Sequence, residues 1–237
     1  MLVNKSLNVF NMISFLALIR SSTGFAVRSC ISRGRRQIRC YGSKPGSSIP
    51  GKILFQNDQT NVLEIDEARL LETLNRIRRH IGYETYGVSL ELIGDEEMQE
   101  INLESRGVDA PTDILSFPFS EYIEPGTLEP PQFDIPDYYQ LGDLLVDVPY
   151  VMRRCQEDKE YYEQLDDSDD EEEEDERGVS GAMARIYDAE ERIHMLLIHG
   201  MLHLVGYDHE DDEDYELMVA KEEEILAELG MLPKQSP

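Results

Sequence analysis

The run His199-Gly200-Met201-Leu202-His203-Leu204-Val205-Gly206-Tyr207-Asp208-His209 places three of the chain's five histidines within eleven residues. With Ile193 to Val205 read as helix, His199 and His203 stand at i and i+4, one turn apart on one face, where both imidazoles can share one ion. Gly206 can adopt the left-handed conformation that ends a helix, which lets the chain turn and bring His209 back as a third ligand. Three histidines leave a fourth position open. Structural zinc sites fill all four positions with protein groups, so an open set points to catalysis by a single zinc ion. Such an ion acidifies water towards a pKa of about 7 and polarises a carbonyl or phosphoryl oxygen, which makes hydrolysis the natural reaction class. The competing reading is a core helix that happens to carry histidines. It would have to bury unpaired imidazoles behind an apolar run, at a cost in free energy.

The elements that must position these ligands are legible from periodicity. Lys52 to Gln56 reads as a first strand, and from Asp66 the residues Leu70, Leu74, Ile77 and Ile81 recur at helical spacing until Gly82. Val88, Leu90 and Leu92 alternate with Ser89 and Glu91 as in a half-buried strand. A helix over Asp95 to Ser105 follows, then a strand at Ile114 to Phe117 stopped by Pro118, and a fourth strand at Leu141 to Asp147. Residues 120–139 hold four prolines and read as a surface loop. Pro149 suits the first turn of a helix reaching Tyr162, and two more helices are expected at Met183 to Val205 and Asp211 to Leu229. This order predicts a single α+β domain, with a small, mostly four-stranded mixed sheet packed by about five helices.

Charge divides the chain. Residues 1–57 contain no Asp or Glu and nine of the 22 basic residues, so the remainder carries 13 basic against 49 acidic groups, a net charge of −36. A split this sharp marks residues 1–52 as an organelle targeting leader and linker ahead of a domain over 53–237. The apolar stretch Leu7 to Ile19, broken by Asn8, Asn11 and Ser14, is too short to span a bilayer, so no stable membrane association of the mature form is expected. The Ser-, Phe- and Arg-containing segment after it resembles the two-part leader of proteins sent to plastids, with a mitochondrial presequence as the alternative. Cys30 and Cys40 fall in that leader, leaving Cys155 alone and no disulfide framework. Ten of the eleven residues from Asp166 to Glu176 are acidic, so about 163–178 is expected to be a solvated, disordered insertion before the histidine helix.

The histidine spacing is also that of the metzincin proteases, but those carry a general-base Glu directly after the first histidine, where this chain has Gly200. Peptide hydrolysis needs that proton shuttle. Phosphodiester hydrolysis needs cationic groups for charge developing on the non-bridging oxygens. Taken with Asn102-Leu-Glu-Ser-Arg106, Pro111-Thr-Asp-Ile-Leu-Ser-Phe-Pro118, Leu141-Gly-Asp143, Met218 and Glu222, the motif resembles the YbeY family of metal-dependent endoribonucleases and rRNA maturation factors. The resemblance covers roughly residues 53–232. It implies that His199, His203 and His209 are the zinc ligands, that Arg106 is the catalytic arginine, and that the partners are an rRNA precursor and a ribosomal subunit or its proteins. A guanidinium pairs bidentately with phosphate, so the role suits Arg106 on chemical grounds as well.

The expected function is therefore a zinc-dependent endoribonuclease acting in rRNA maturation and ribosome quality control of an organelle, the plastid first and the mitochondrion second. A non-catalytic ribosome assembly factor stabilised by its metal is one alternative. A zinc peptidase using Asp208 or Glu210 as base is another. The acidic body is unusual for a protein that binds RNA, since phosphate contacts come from Lys and Arg. Capture would depend on patches such as Arg76 to His80, Arg106 and Arg153-Arg154, or on a ribosomal partner.

Overall fold

Asp66 begins the first helix as its sequence position suggests, its side chain accepting a hydrogen bond from the Arg69 N–H and leaving Leu70, Leu74 and Ile77 on the buried face. The computed structural model describes residues 39–41, 51–132, 135–164, 177–184 and 186–231. Along these the strands are β1 (Arg39–Tyr41), β2 (Ile53–Asn57), β3 (Gly87–Ile93), β4 (Ile114–Pro118), β5 (Tyr122–Glu124), β6 (Thr127–Leu128) and β7 (Gln140–Asp147). The helices are α1 (Glu67–His80), α2 (Asp95–Arg106), α3 (Val148–Gln164), α4 (Gly178–Met183), α5 (Ala189–Leu204) and α6 (Asp212–Leu229).

The sheet runs in the order β1-β2-β3-β7-β4. Its inner pairs β2-β3 and β3-β7 are parallel, and β4 pairs with β7 antiparallel. Four of these strands are those expected from the sequence. The fifth, β1, lies within the basic segment and pairs antiparallel with β2, Arg39 opposite Phe55. The rest of the leader and the acidic run fall outside the described residues, although α3 extends to Gln164, into the segment expected to be disordered.

Alternation divides the sheet between two faces. Val88, Leu90, Leu92, Ile114, Leu144 and Val146 join the main core with α1, α3, α4, α5 and α6, whereas Ile93, Leu115 and Leu145 meet Met98 of α2 on the other side. Helix α5 is the axis of the larger layer. It contacts β4, β7, α1, α3, α4 and α6, and every residue from Arg192 to Leu204 is buried. The result is one α+β domain. No helix among the described residues is long and apolar enough to cross a membrane.

Two expectations are corrected. The helix expected over Met183 to Val205 is broken into α4 and α5, because the Asp188 carboxylate accepts the Glu191 N–H and starts a new helix there. The connection is pinned by buried Arg192, which donates to the Ile186 carbonyl and pairs with Asp158 of α3 at 2.6 Å. The stretch 120–139 is not only loop. β5 and β6 form a hairpin whose Leu128 is buried, and the Tyr83 hydroxyl ties it down by accepting the Leu128 N–H and donating to the Gly126 carbonyl. The prolines in this stretch hid a hairpin only a few residues long.

Candidate metal centre

The end of α5 builds the histidine cluster. The Gly206 N–H donates to the His203 carbonyl and the Tyr207 N–H to that of Leu202, the paired bonds of a Schellman turn, with Gly206 at φ +90°. A side chain at Gly206 would collide with the Tyr122 ring of the hairpin, so glycine is required both for the turn and for the packing above it. The reversed chain then presents His209, whose backbone N–H is held by the Asp208 carboxylate at 2.8 Å. Asp211 caps α6 by accepting from the Glu213 and Asp214 N–H groups.

The three histidines meet as the spacing implies. One ligand atom from each lies within 4.8 Å of the others. The Nε2 atoms of His199 and His203 approach to 3.0 Å, and the Nε2 of His209 is buried without a protein partner. Two nitrogens each ~2.1 Å from a tetrahedral ion stand ~3.4 Å apart, so this cluster fits a small divalent cation. Burial drives the electrostatics in the same direction. Desolvation, reinforced by His209, depresses His199 to about 3, and His203 is held well below its usual value by desolvation and by the other two rings. Both are neutral at physiological pH, the state a metal requires.

Beyond the ligands, Glu222 of α6 is buried and accepts from His199 Nδ1 at 2.8 Å with one oxygen and from the Val179 N–H at 2.8 Å with the other. Burial pushes its carboxyl up to about 7. Sequence reasoning assigned Glu222 no role. The available signal was a carboxylate on the apolar stripe of Met218, Ile225, Leu226 and Leu229.

Gly200 faces away from these ligands. A Cβ there would stand 2.7 Å from Ile114 Cδ1, 2.9 Å from Leu144 Cδ2 and 3.0 Å from Ser116 Oγ, so α5 lies directly on β4 and β7 at this point. Glutamate, the metzincin residue, has no room at this position. Asp208, one of the two candidate bases with Glu210, spends its carboxylate on the His209 backbone, and burial raises its pKa.

Arg106 ends α2, with no hydrogen bond to any of the three histidines. The link runs through β4: Asp113 interacts electrostatically with Arg106, and the next residue, Ile114, rests against Gly200. The Arg106 guanidinium donates only to Asn102 Oδ1, at 3.4 Å, and its buried Nε has no partner. Desolvation lowers its pKa below the usual guanidinium range, and Asp113 opposes that. Asp113 itself is pushed up to about 6 by burial, against hydrogen bonds from the Ile114 N–H and the Thr112 hydroxyl.

The other expected basic patches are consumed internally. Arg78 is buried on the Gly51 and Tyr86 carbonyls, Arg76 donates to the Glu228 carbonyl, and Arg79 and His80 pair with Glu84 and Glu224. Arg153 forks onto Asp95, and Arg154 onto Glu157 and Asp158. Neither Arg76 to His80 nor Arg153-Arg154 is therefore a free phosphate-binding patch. The sequence showed clusters of like charge; Asp95 and Glu224 reach them from distant elements, and Glu84, Glu157 and Asp158 from within five residues.

A family model described as Endoribonuclease YbeY matches residues 54–166 and 176–230, and its break falls in the acidic run. The chain is 30% identical to the Endoribonuclease YbeY of Homo sapiens over 178 residues, 75% of this chain and 88% of that protein. It is 32% identical to the protein of that name from Halalkalibacterium halodurans over 177 residues, covering 73% and 93%. The Acinetobacter baumannii protein is 32% identical over 182 residues, covering 75% and 92%.

Proposed function

This chain belongs to the YbeY endoribonuclease family, and from that premise we propose that it is a zinc-dependent endoribonuclease acting in rRNA maturation and ribosome quality control of an organelle. The observation that carries the reading is the convergence of three imidazoles, those of His199, His203 and His209, on one point, with burial keeping His199 and His203 neutral. One ion bound there would supply Lewis acidity, polarising a phosphoryl oxygen and making water more acidic. Arg106 is the catalytic arginine. Its guanidinium makes one long hydrogen bond, to Asn102, which leaves donors at its Nη end for the non-bridging oxygens of a phosphodiester, where charge builds during cleavage. Asp113 attracts that guanidinium without hydrogen-bonding to it, which orients the fork and leaves its N–H groups available.

RNA delivery is assigned to a ribosomal subunit or its proteins. The body is strongly acidic, and the arginine clusters that would grip phosphates already hold carboxylates and carbonyls of the same chain. RNA affinity of the isolated protein should be weak and fall steeply with salt. The acid-free, arginine-rich leader supports import into a plastid, or a mitochondrion in second place. A reporter fused to residues 1–52 tests the address, and cytosolic retention defeats it.

The enzymatic test compares RNA cleavage by the purified full chain with that by His203→Ala and Arg106→Ala, with bound metal quantified in each. Both variants should lose cleavage while only His203→Ala loses metal. Undiminished cleavage in both would defeat the assignment.

A further inference from the structure

We infer that Glu222 is a positioning residue for the metal centre, held in place by the Gly178–Val179 backbone at the start of α4. The inference rests on the metal reading of the histidine cluster and extends it to the hydrogen bonds behind one ligand. Glu222 Oε1 takes the Nδ1–H of His199, which fixes the tautomer whose Nε2 lone pair faces the ion. Its Oε2 takes the Val179 N–H. A carboxylate only 4% exposed is costly to bury, and here both oxygens are satisfied.

The support is unequal among the ligands. His203 has only an interaction with the Tyr207 backbone and no carboxylate behind it, so His199 is the histidine of the pair whose orientation is set by a buried carboxylate. Gly178 is a condition of this arrangement. It sits at φ +64°, and a Cβ on it would collide with Glu222 Oε2. Arg177, one residue earlier, forks onto Glu216 of α6 with two bonds of 2.9 Å, which presses the start of α4 against the helix that carries Glu222. The chain emerging from the acidic run thus closes directly on the partner of a metal ligand.

The test titrates the full-length protein and its Gly178→Ala, Glu222→Gln and Glu223→Gln variants with Zn2+ against a chromophoric chelator, and with Co2+ while its visible bands are recorded. Glu222→Gln keeps the volume but offers one acceptor where two are needed, and Gly178→Ala keeps the carboxylate but displaces it. Both should weaken zinc binding by about 10- to 100-fold and alter the Co2+ bands, the usual consequence of removing such a partner. Glu223 is exposed, and its variant should match the parent. If Gly178→Ala does not fold, Glu222→Gln decides alone. Affinities within twofold of the parent with unchanged Co2+ bands overturn the inference, even where the metal-free variants melt earlier. A parent chain that binds neither ion overturns the metal reading itself, a result visible before any variant is compared.

Discussion

The layer formed by α5 and α6 and the opposite end formed by α2, β4 and the start of α3 both bury titratable groups, and burial has opposite chemical consequences in the two. Around α5, desolvation drives His199 and His203 to the neutral form, and the buried His209 Nε2 has no protein partner. Around β4, desolvation weakens the acids, Asp113 to about 6 and Asp147 to about 7, but Arg106 starts too basic to be neutralised. The same penalty on charge therefore makes one region ready for a cation and leaves the other with an under-paired cation ready for an anion. The two regions touch where Ile114, Ser116 and Leu144 pack on Gly200.

The sharpest way to break this comparison is to remove one member from each side. His203→Ala should abolish metal binding at stoichiometric ion and cleavage with it. Arg106→Ala should retain the full metal content and reduce RNA cleavage by about 10²–10³-fold, the scale of losing one preorganised donor to a developing oxyanion. Arg106→Lys should recover only part of that, because an ammonium lacks the fork. Metal analysis alongside single-turnover cleavage checks both, and metal loss in Arg106→Ala would show that the regions are not separable.

A smaller effect is expected from joining the regions too tightly. Gly200→Ala places a methyl between α5 and β4, and overpacking of this kind costs about 1–3 kcal/mol. Thermal unfolding of the metal-free protein should shift down by about 2–8 °C. An unchanged midpoint would mean that α5 and β4 separate freely at this point.

How much of this was readable in the sequence depends on how far apart the cooperating residues lie. The histidines are packed into eleven residues with a glycine turn, so local periodicity suffices, and the four main strands are legible as short apolar runs, Val88 to Leu92 by alternation. The cap at Asp188 is local, but the connection before it is pinned through Arg192 to Asp158, 34 residues earlier, and the hairpin depends on Tyr83, more than 40 residues away. No local pattern encodes such contacts. Arg153 looked free for phosphate because Asp95, 58 residues earlier, is invisible to any window, whereas the partners of Arg154, Glu157 and Asp158, lie in the same helix. Gly200 was legible as a missing base, whereas its packing against β4, the reason for its small size, required the sheet.

The finest distinction between the two regions is a matter of pH. Asp147 accepts the Tyr150 N–H at the start of α3 and lies within hydrogen-bonding reach of Asp95, while its other oxygen is buried without a partner. Burial first, and Asp95 second, raise its pKa from 3.8 to about 7. The folded state therefore keeps a proton that the unfolded chain releases, and this group's contribution to stability is lost as pH rises from about 4 through 7. Asp147→Asn still caps the helix with its carbonyl oxygen, and its amide can donate towards Asp95. Its stability relative to the parent should rise by about 1–3 kcal/mol between pH 5 and pH 8, as the parent loses this contribution. Urea unfolding at the two pH values measures the difference. A variant destabilised equally at both would mean that Asp147 is ionised throughout, and that burial does not weaken the acids of this region.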